Sequence, residues 1–299
     1  MNSKIKLSAV IGLFCAALAQ PVSAQVVLPD WDEVNIKTIP MGDGIYVLEG
    51  FGGNIGVLTG PDGVLLVDDQ YNELSEKNIA AIQAITDAPI RFVVNTHWHG
   101  DHSGANPSMK QIGANIVSTD VTRELMHKNF TDTEQFKNNA PITTFNDEIT
   151  FHINGQQVQV FKVTPAHTAG DAIVYFQPAN IMHMGDTSFN GFYPYIDVAN
   201  GGSIDGMIQL HEEIYQLADD ETRIIFGHGE VGTRADLARY KAMLETVNAR
   251  VQALKAQGLT LDEIIAAEPL NDLDPEWGQN LIKAPGFLTM VYNSPAHTH

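Results

Sequence analysis

Short apolar runs bounded by Gly, Asp and Pro fill the first half of the chain. The runs Ile45–Glu49, 54–59 and Val64–Val67 read as consecutive strands, with Pro61-Asp62-Gly63 as a turn between two of them. Over 73–85 the period changes: Leu74, Ile79, Ile82 and Ile85 recur close to helical spacing, and Pro89 ends that helix. The spacing predicts a strand at 91–95, another at 115–118 and a helix over Asp120–Asn129. Strands at 150–153 and 158–163 flank Asn154-Gly155, a strong signal for a two-residue hairpin turn. Ala172–Phe176 and 181–184 are further buried strands. A helix at 203–218 follows with Asp205 in its first turn, then a strand at 223–226 and helices over 235–256 and 261–267. Strands interleaved with helices, plus antiparallel hairpins, predict an α/β (α+β) arrangement with helices on the outer faces of sheets.

The N-terminus departs from this pattern. Lys4 and Lys6, the apolar run 7–19 and the small-residue signal Val22-Ser23-Ala24 predict a secretory signal peptide over 1–24, cut after Ala24. The run is short for a membrane span, which takes roughly 20 residues. Leu13-Phe14 before Cys15 do not suit a lipid-attachment site. No later segment reads as a span, so 25–299 is expected as a single domain in the periplasm or outside the cell.

Composition narrows the chemistry. Cys15 is the only cysteine, so the cleaved chain would hold no disulfide, thiolate nucleophile or cysteine ligand. Losing Lys4 and Lys6 takes the formal charge from −19 to −21. Nucleic-acid affinity is carried by Lys and Arg, so a nucleic-acid partner is excluded and a small-molecule substrate expected. Oligomeric state leaves no mark in the pattern.

The segment Asn95-Thr96-His97-Trp98-His99-Gly100-Asp101-His102 follows a predicted buried strand. Two histidines one residue apart point to one side of an extended chain. Asp101 and His102 follow on a turn and face a neighbouring point. Imidazole and carboxylate without thiolate suit zinc in a site that keeps a position for water. Three more strand ends carry a lone ligand-type residue with glycine close by: His167 in Pro165-Ala166-His167-Thr168-Ala169-Gly170-Asp171, Asp186 in Met184-Gly185-Asp186-Thr187, and His228 in Phe226-Gly227-His228-Gly229.

With these motifs, from about Ile45 to Gly232, the chain resembles the metallo-β-lactamase fold superfamily: Asp68 in Leu66-Val67-Asp68, then H-x-H-x-D-H, His, Asp and His. The resemblance implies a four-layered αββα sandwich with the site along one edge of its two sheets. It implies two zinc ions per chain, one on His97, His99 and His167, the other on Asp101, His102 and His228. Asp186 would bridge both or lean towards the second, and Asp68 would orient a ligand histidine. His99 stands where iron-using members carry Glu, which argues for zinc.

Water shared by two zinc ions is expected to ionise near neutral pH and attack an amide-like or ester-like carbonyl, with Asp101 orienting it and moving a proton. Export fits the β-lactamases. Yet Asp186 stands where two of their subclasses have Cys, and Phe189 where a Lys often holds the antibiotic carboxylate. Weak or promiscuous β-lactam hydrolysis is therefore expected. Alternatives are a lactonase or esterase, a sulfatase or phosphodiesterase of the same fold, or a metal-binding accessory protein of a periplasmic oxidation pathway. In Phe189-Asn190-Gly191-Phe192-Tyr193-Pro194-Tyr195, either tyrosine is a candidate donor to an oxyanion, against packing at the domain edge. Trp98 either lines the site or packs beneath the loop, and Asn200-Gly201-Gly202-Ser203 is read as a turn into the next helix. His127, His152, His183 and His211 are read as structural or exposed, and His297 and His299 as loose.

Overall fold

The computed structural model describes residues 28–130 and 132–295, so the expected leader, His297 and His299 lie outside the described residues. Thirteen strands among the described residues form two sheets. The first runs in chain order: β1 (Lys37–Gly42), β2 (Ile45–Glu49), β3 (Ile55–Leu58), β4 (Val64–Val67), β5 (Ile90–Val94), β6 (Asn115–Thr119) and β7 (Thr143–Phe145). The second contains β8 (Glu148–Ile153), β9 (Gln156–Lys162), β10 (Ala172–Phe176), β11 (Ile181–His183), β12 (Arg223–Ile225) and β13 (Gly232–Thr233), ordered β13-β12-β11-β10-β9-β8. Strands β1 to β4 form an antiparallel meander, and β4 to β7 are parallel.

Helices cover both outer faces. Against the first sheet lie α1 (Ser75–Gln83), α2 (Gly100–Ser103), α3 (Asn106–Gln111), α4 (Asp120–Asn129) and α5 (Thr133–Asn139). On the second lie α6 (Ile204–Leu217), α7 (Arg234–Ala256), α8 (Leu261–Ala266), α9 (Asp274–Trp277) and α10 (Ala284–Asn293). Strand β4 shows why the layers stack. Leu65 and Val67 face Val158, Val160 and Phe176 in the core between the sheets, whereas Val64 and Leu66 pack with Ile82 and Met109 under the helices. A strand buried on both faces needs a continuous apolar run, which is what Val64–Val67 supplies. The result is the expected αββα sandwich.

The hairpin at Asn154-Gly155 forms with φ of 53° and 74°, the two positive values of a type I′ turn. Elements that the periodicity did not predict are mostly edge strands or short helices: β1, which contains Pro40, β7, β13, α3, α5, α9 and α10. No described helix is long and apolar enough to cross a membrane.

His211, on α6, is fully buried and structural, as read. Its Nδ1 donates to the Met207 carbonyl at 2.7 Å, and its Nε2 meets Ser188 Oγ at 2.6 Å, joining α6 to the turn after β11. Burial pushes its pKa from 6.5 down to about 4. The unfolded chain therefore binds the extra proton between those values. Stability is fully present above pH 6.5 and declines as pH falls towards 4, by up to about 3 kcal/mol. Urea unfolding of wild type and His211→Gln across that range is expected to show a shallower pH slope in the variant. Equal slopes would reject this account.

Candidate metal centre

All seven expected ligand residues lie at one end of the sandwich, on turns leaving or entering strands. His97 follows β5, and His99 is extended (φ −65°, ψ 150°) at the start of α2, which carries Asp101 and His102. His167 precedes β10, Asp186 occupies a one-turn 3-10 helix (Gly185–Thr187) after β11, and His228 follows β12. The sheets are joined at this end: Ala172 N donates to Thr96 O at 2.8 Å, and Asn54 N to Gly227 O at 2.7 Å. A methyl group on Gly53 would lie 2.1 Å from the His102 ring, and one on Gly227 2.1 Å from Asp186 Oδ1. Only glycine lets the backbone approach the side chains so closely.

Two groups result, each with its ligand atoms within 4.8 Å of one another. His97, His99 and His167 form the first, with His99 Nδ1 2.8 Å from His167 Nε2. Asp101, His102, Asp186 and His228 form the second. Asp186 Oδ1 is 2.9 Å from His102 Nε2 and its Oδ2 is 3.3 Å from His228 Nε2. The same Oδ2 lies 3.7 Å from His167 Nε2, so this one carboxylate faces both groups. Asp101 Oδ2 is 3.3 Å from His228 Nε2, and its side chain is 22% exposed, open to water from outside.

Four of the five imidazoles commit their second ring nitrogen to the protein. His97 Nδ1 lies 3.0 Å from Thr96 Oγ1, which donates to Asp68 Oδ2 at 2.8 Å. A hydroxyl has one proton, so His97 donates to Thr96 and keeps its lone pair on Nε2. That Nε2 is buried without a hydrogen-bond partner. His102 Nδ1 meets the same Asp68 oxygen at 2.8 Å. His99 Nε2 reaches Asp197 Oδ2 at 3.0 Å, and His167 Nδ1 donates to Tyr195 O at 2.8 Å. These partners fix the tautomers and aim the remaining lone pairs inward. Asp68 is fully buried and also accepts from Thr96 N at 2.7 Å, so it orders a histidine in each group.

The electrostatics of the two groups differ. Burial, aided by the neighbouring His102 and His167, holds His97 well below its ordinary pKa, and burial takes His167 down to about 4. The first group thus offers neutral nitrogen donors. In the second, burial opposes ionisation of Asp186, but His102 and His228 outweigh it and hold the carboxyl well below its ordinary value. Asp101 is drawn down to about 2 against burial by the same imidazoles. His228 is raised to about 9, again against burial, by Asp186 and Asp101. The second group therefore calls for positive charge. The orphaned His97 Nε2 and the crowded inward-facing imidazole nitrogens beside two ionised carboxylates fit a pair of divalent cations.

Several expectations about neighbouring residues change. Tyr193 is not at the site: it is 1% exposed, its hydroxyl donates to Asp274 at 2.9 Å, and its ring stacks on Phe287. The apolar core outside the second sheet claims that ring. Tyr195 is 43% exposed, with its ring centroid 5.8 Å from His99 and 5.9 Å from His167. Trp98 is half-buried with its ring against His99. Asn200 sits in the turn before α6, as read, and also donates to Asp197 Oδ2 at 2.8 Å. His183 bridges Asn54 O and Gly185 N in the core, while His127 and His152 are exposed. Asp197 and Thr96 are partners of the histidines that the sequence reading assigned no role; Thr96 adjoins His97 in its motif, whereas nothing in the local sequence marks Asp197. Asp171, which accepts from the backbone N of His167 and Thr168, was likewise assigned no role, although its place four residues after His167 is the signal that could have found it.

Residues 48–228, well over half of the chain, match the profile of the family described as "Metallo-beta-lactamase superfamily". The chain is 26% identical over 259 residues to the lactamase-like protein aptB of Emericella nidulans, covering 79% of this chain and 78% of that one. It is 27% identical over 212 residues to the hydroxyacylglutathione hydrolase of Rhizobium meliloti, covering 65% and 73% respectively. Among solved structures, the metallo-beta-lactamase from Pontibacter korlensis superposes with a TM-score of 0.61 at 19% identity, over 71% of this chain and 99% of that one, a likeness of fold. The matched span, the two packed sheets and the paired His/Asp groups at their edge establish that this chain belongs to the metallo-β-lactamase superfamily, as a metal-dependent hydrolase.

Proposed function

We propose that this protein is an exported dizinc hydrolase that opens a cyclic amide or ester carbonyl in a small molecule. One observation carries the reading: seven inward-facing donors form two groups that share Asp186, with the histidines of the first group and His102 of the second oriented by the protein. His97, His99 and His167 would hold one cation, and Asp101, His102, Asp186 and His228 the other. Imidazole and carboxylate donors without sulfur favour zinc. When bound, two such ions polarise a carbonyl oxygen and acidify water near neutral pH.

The remaining steps belong to the chain. Asp101, partly open to solvent, orients the attacking water and carries its proton to the leaving atom. Burial, with Asp197 nearby, raises the Tyr195 phenol above its ordinary pKa, so it stays protonated and can donate to the oxygen that gains charge. Phe189 is uncharged, 6% exposed and turned to His228, leaving no cation at that position for a substrate carboxylate. This favours uncharged lactones or esters over carboxylate-bearing β-lactams.

The test is metal analysis joined to a substrate panel of a lactone, a β-lactam, a sulfate ester and a phosphate ester. About two zinc ions per chain are expected from the donor count. Carbonyl hydrolysis is expected to vanish with chelation and with His97→Ala. A zinc-loaded protein inert towards both carbonyl substrates would defeat the proposal. Turnover of only the sulfate or phosphate ester would move the assignment to that class.

Lys4, Lys6, the apolar run 7–19 and Val22-Ser23-Ala24 support export, with 25–299 as the mature single-domain enzyme. Expression with residues 1–24 in a bacterial host is expected to deliver protein beginning at Gln25 to the periplasm. Full-length protein retained in the cytosol would reject that placement.

A further inference from the structure

His228 differs from the other four imidazoles of the centre. Its Nε2 faces Asp101 and Asp186 at 3.3 Å each. Among the described residues, however, no hydrogen bond reaches its Nδ1, whereas His97, His99, His102 and His167 are each held through the second ring nitrogen. The backbone around it is well anchored. Asn190 N donates to His228 O at 2.9 Å, and Asn54 Nδ2 donates to Phe226 O at 2.9 Å and Gly229 O at 2.8 Å. The Cα position is therefore fixed while the ring retains freedom about χ2, a broad torsion for imidazole.

Phe189 faces that ring. The two planes are 3° apart with centroids separated by 5.3 Å, the offset stacking that aromatic pairs favour. Phe189 is itself immobile, because it packs in the core outside the second sheet and its backbone bridges that of His228. Its face is thus a surface set against the one ligand-type imidazole whose second ring nitrogen has no hydrogen-bond partner among the described residues.

Taking His228 as a metal ligand, as in the proposed function, we propose that Phe189 is its positioning residue. Ring stacking does for His228 what hydrogen bonds do for the other histidines, and the Phe189 face sets the cation affinity of the Asp101, His102, Asp186 and His228 group. Phe189 also meets the His167 ring edge-on, with centroids 6.3 Å apart, but that imidazole is already held by Tyr195 O, so the first group depends far less on residue 189.

The test titrates the full metal-free chain with Zn²⁺ by calorimetry and with Co²⁺ by visible absorption. His228→Ala first identifies which metal equivalent belongs to the second group. Phe189→Leu keeps the apolar bulk and removes the flat face. Its dissociation constant for that equivalent is expected to rise about 10-fold, the lower end of the cost of losing an orienting partner. The other equivalent should change far less, and Phe189→Tyr, which restores a ring, should recover the wild-type value. Thermal melting of each metal-free variant monitors packing. The proposal is overturned if Phe189→Leu binds both equivalents like wild type, or if both weaken together in step with a lower melting point. If His228→Ala leaves both equivalents intact, the ligand reading itself fails and the proposal falls with it. Loss in His228→Ala with no change in Phe189→Leu overturns only the role of Phe189.

Discussion

Asp186→Asn is expected to lose one of two bound cations and to lower kcat/KM on the order of 10³-fold, or about 4 kcal/mol of transition-state stabilisation. The substitution is nearly isosteric, so packing around this 5%-exposed residue is retained and the effect isolates its charge. Asp186 Oδ1 lies 2.9 Å from His102 Nε2, and its Oδ2 faces His228 at 3.3 Å and His167 at 3.7 Å. An amide presents an NH₂ on one of those sides, where a cation needs a lone pair and the inward-facing imidazole nitrogens offer none to spare. The second group also loses one of the two carboxylates that balance positive charge there. Metal stoichiometry and steady-state kinetics on the same sample would check both parts. A variant that retains two cations and near-wild-type turnover would show that Asp186 is not a shared ligand.

Asp68→Asn reaches both groups from behind. The wild-type carboxylate accepts from Thr96 N, Thr96 Oγ1 and His102 Nδ1. Asn tolerates the positive φ of 64° at this position, so the backbone turn is preserved. With its carbonyl oxygen kept on Thr96 N, its NH₂ meets His102 Nδ1 and the Thr96 hydroxyl. The favoured tautomer of His102 then places the proton on Nε2, the atom aimed at the second group. The Thr96 hydroxyl loses its acceptor, so its donor–acceptor relation to His97 is disturbed as well. Affinity should fall for both metal equivalents, each by roughly 10- to 100-fold, the range found for losing such a partner. Calorimetry gives the affinities, and nitrogen NMR of the imidazoles reports which ring atom carries the proton. Unchanged affinities with His102 still protonated on Nδ1 would contradict the scheme. The contrast is diagnostic: Phe189→Leu acts mainly on the group containing His228, Asp68→Asn on both.

The layered fold and the seven donors were legible because their signals are local. A strand buried on both faces is a continuous apolar run, as in Val64–Val67, and a hairpin turn with two positive φ values selects Asn154-Gly155. A ligand at a strand end needs only its own turn, so His97, His99, Asp101, His102, His167, Asp186 and His228 each stand in a short motif beside glycine or a strand terminus. Edge strands such as β1 and β13 pair on one side only, which relaxes the alternation that periodicity detects. Of the groups that orient the donors, Asp68 was named only through the family resemblance, and others have no such local mark. Asp197 meets His99 across 98 residues of chain, and Phe189 stacks on His228 from 39 residues away. Tyr193 and Tyr195, two positions apart, face the core and the site respectively. The sequence by itself determined which side chains are candidate metal ligands and on which turns they sit. The tertiary structure alone decided which ring nitrogen each histidine presents, because a tautomer and a ring plane are set by through-space partners that neither period nor spacing encodes.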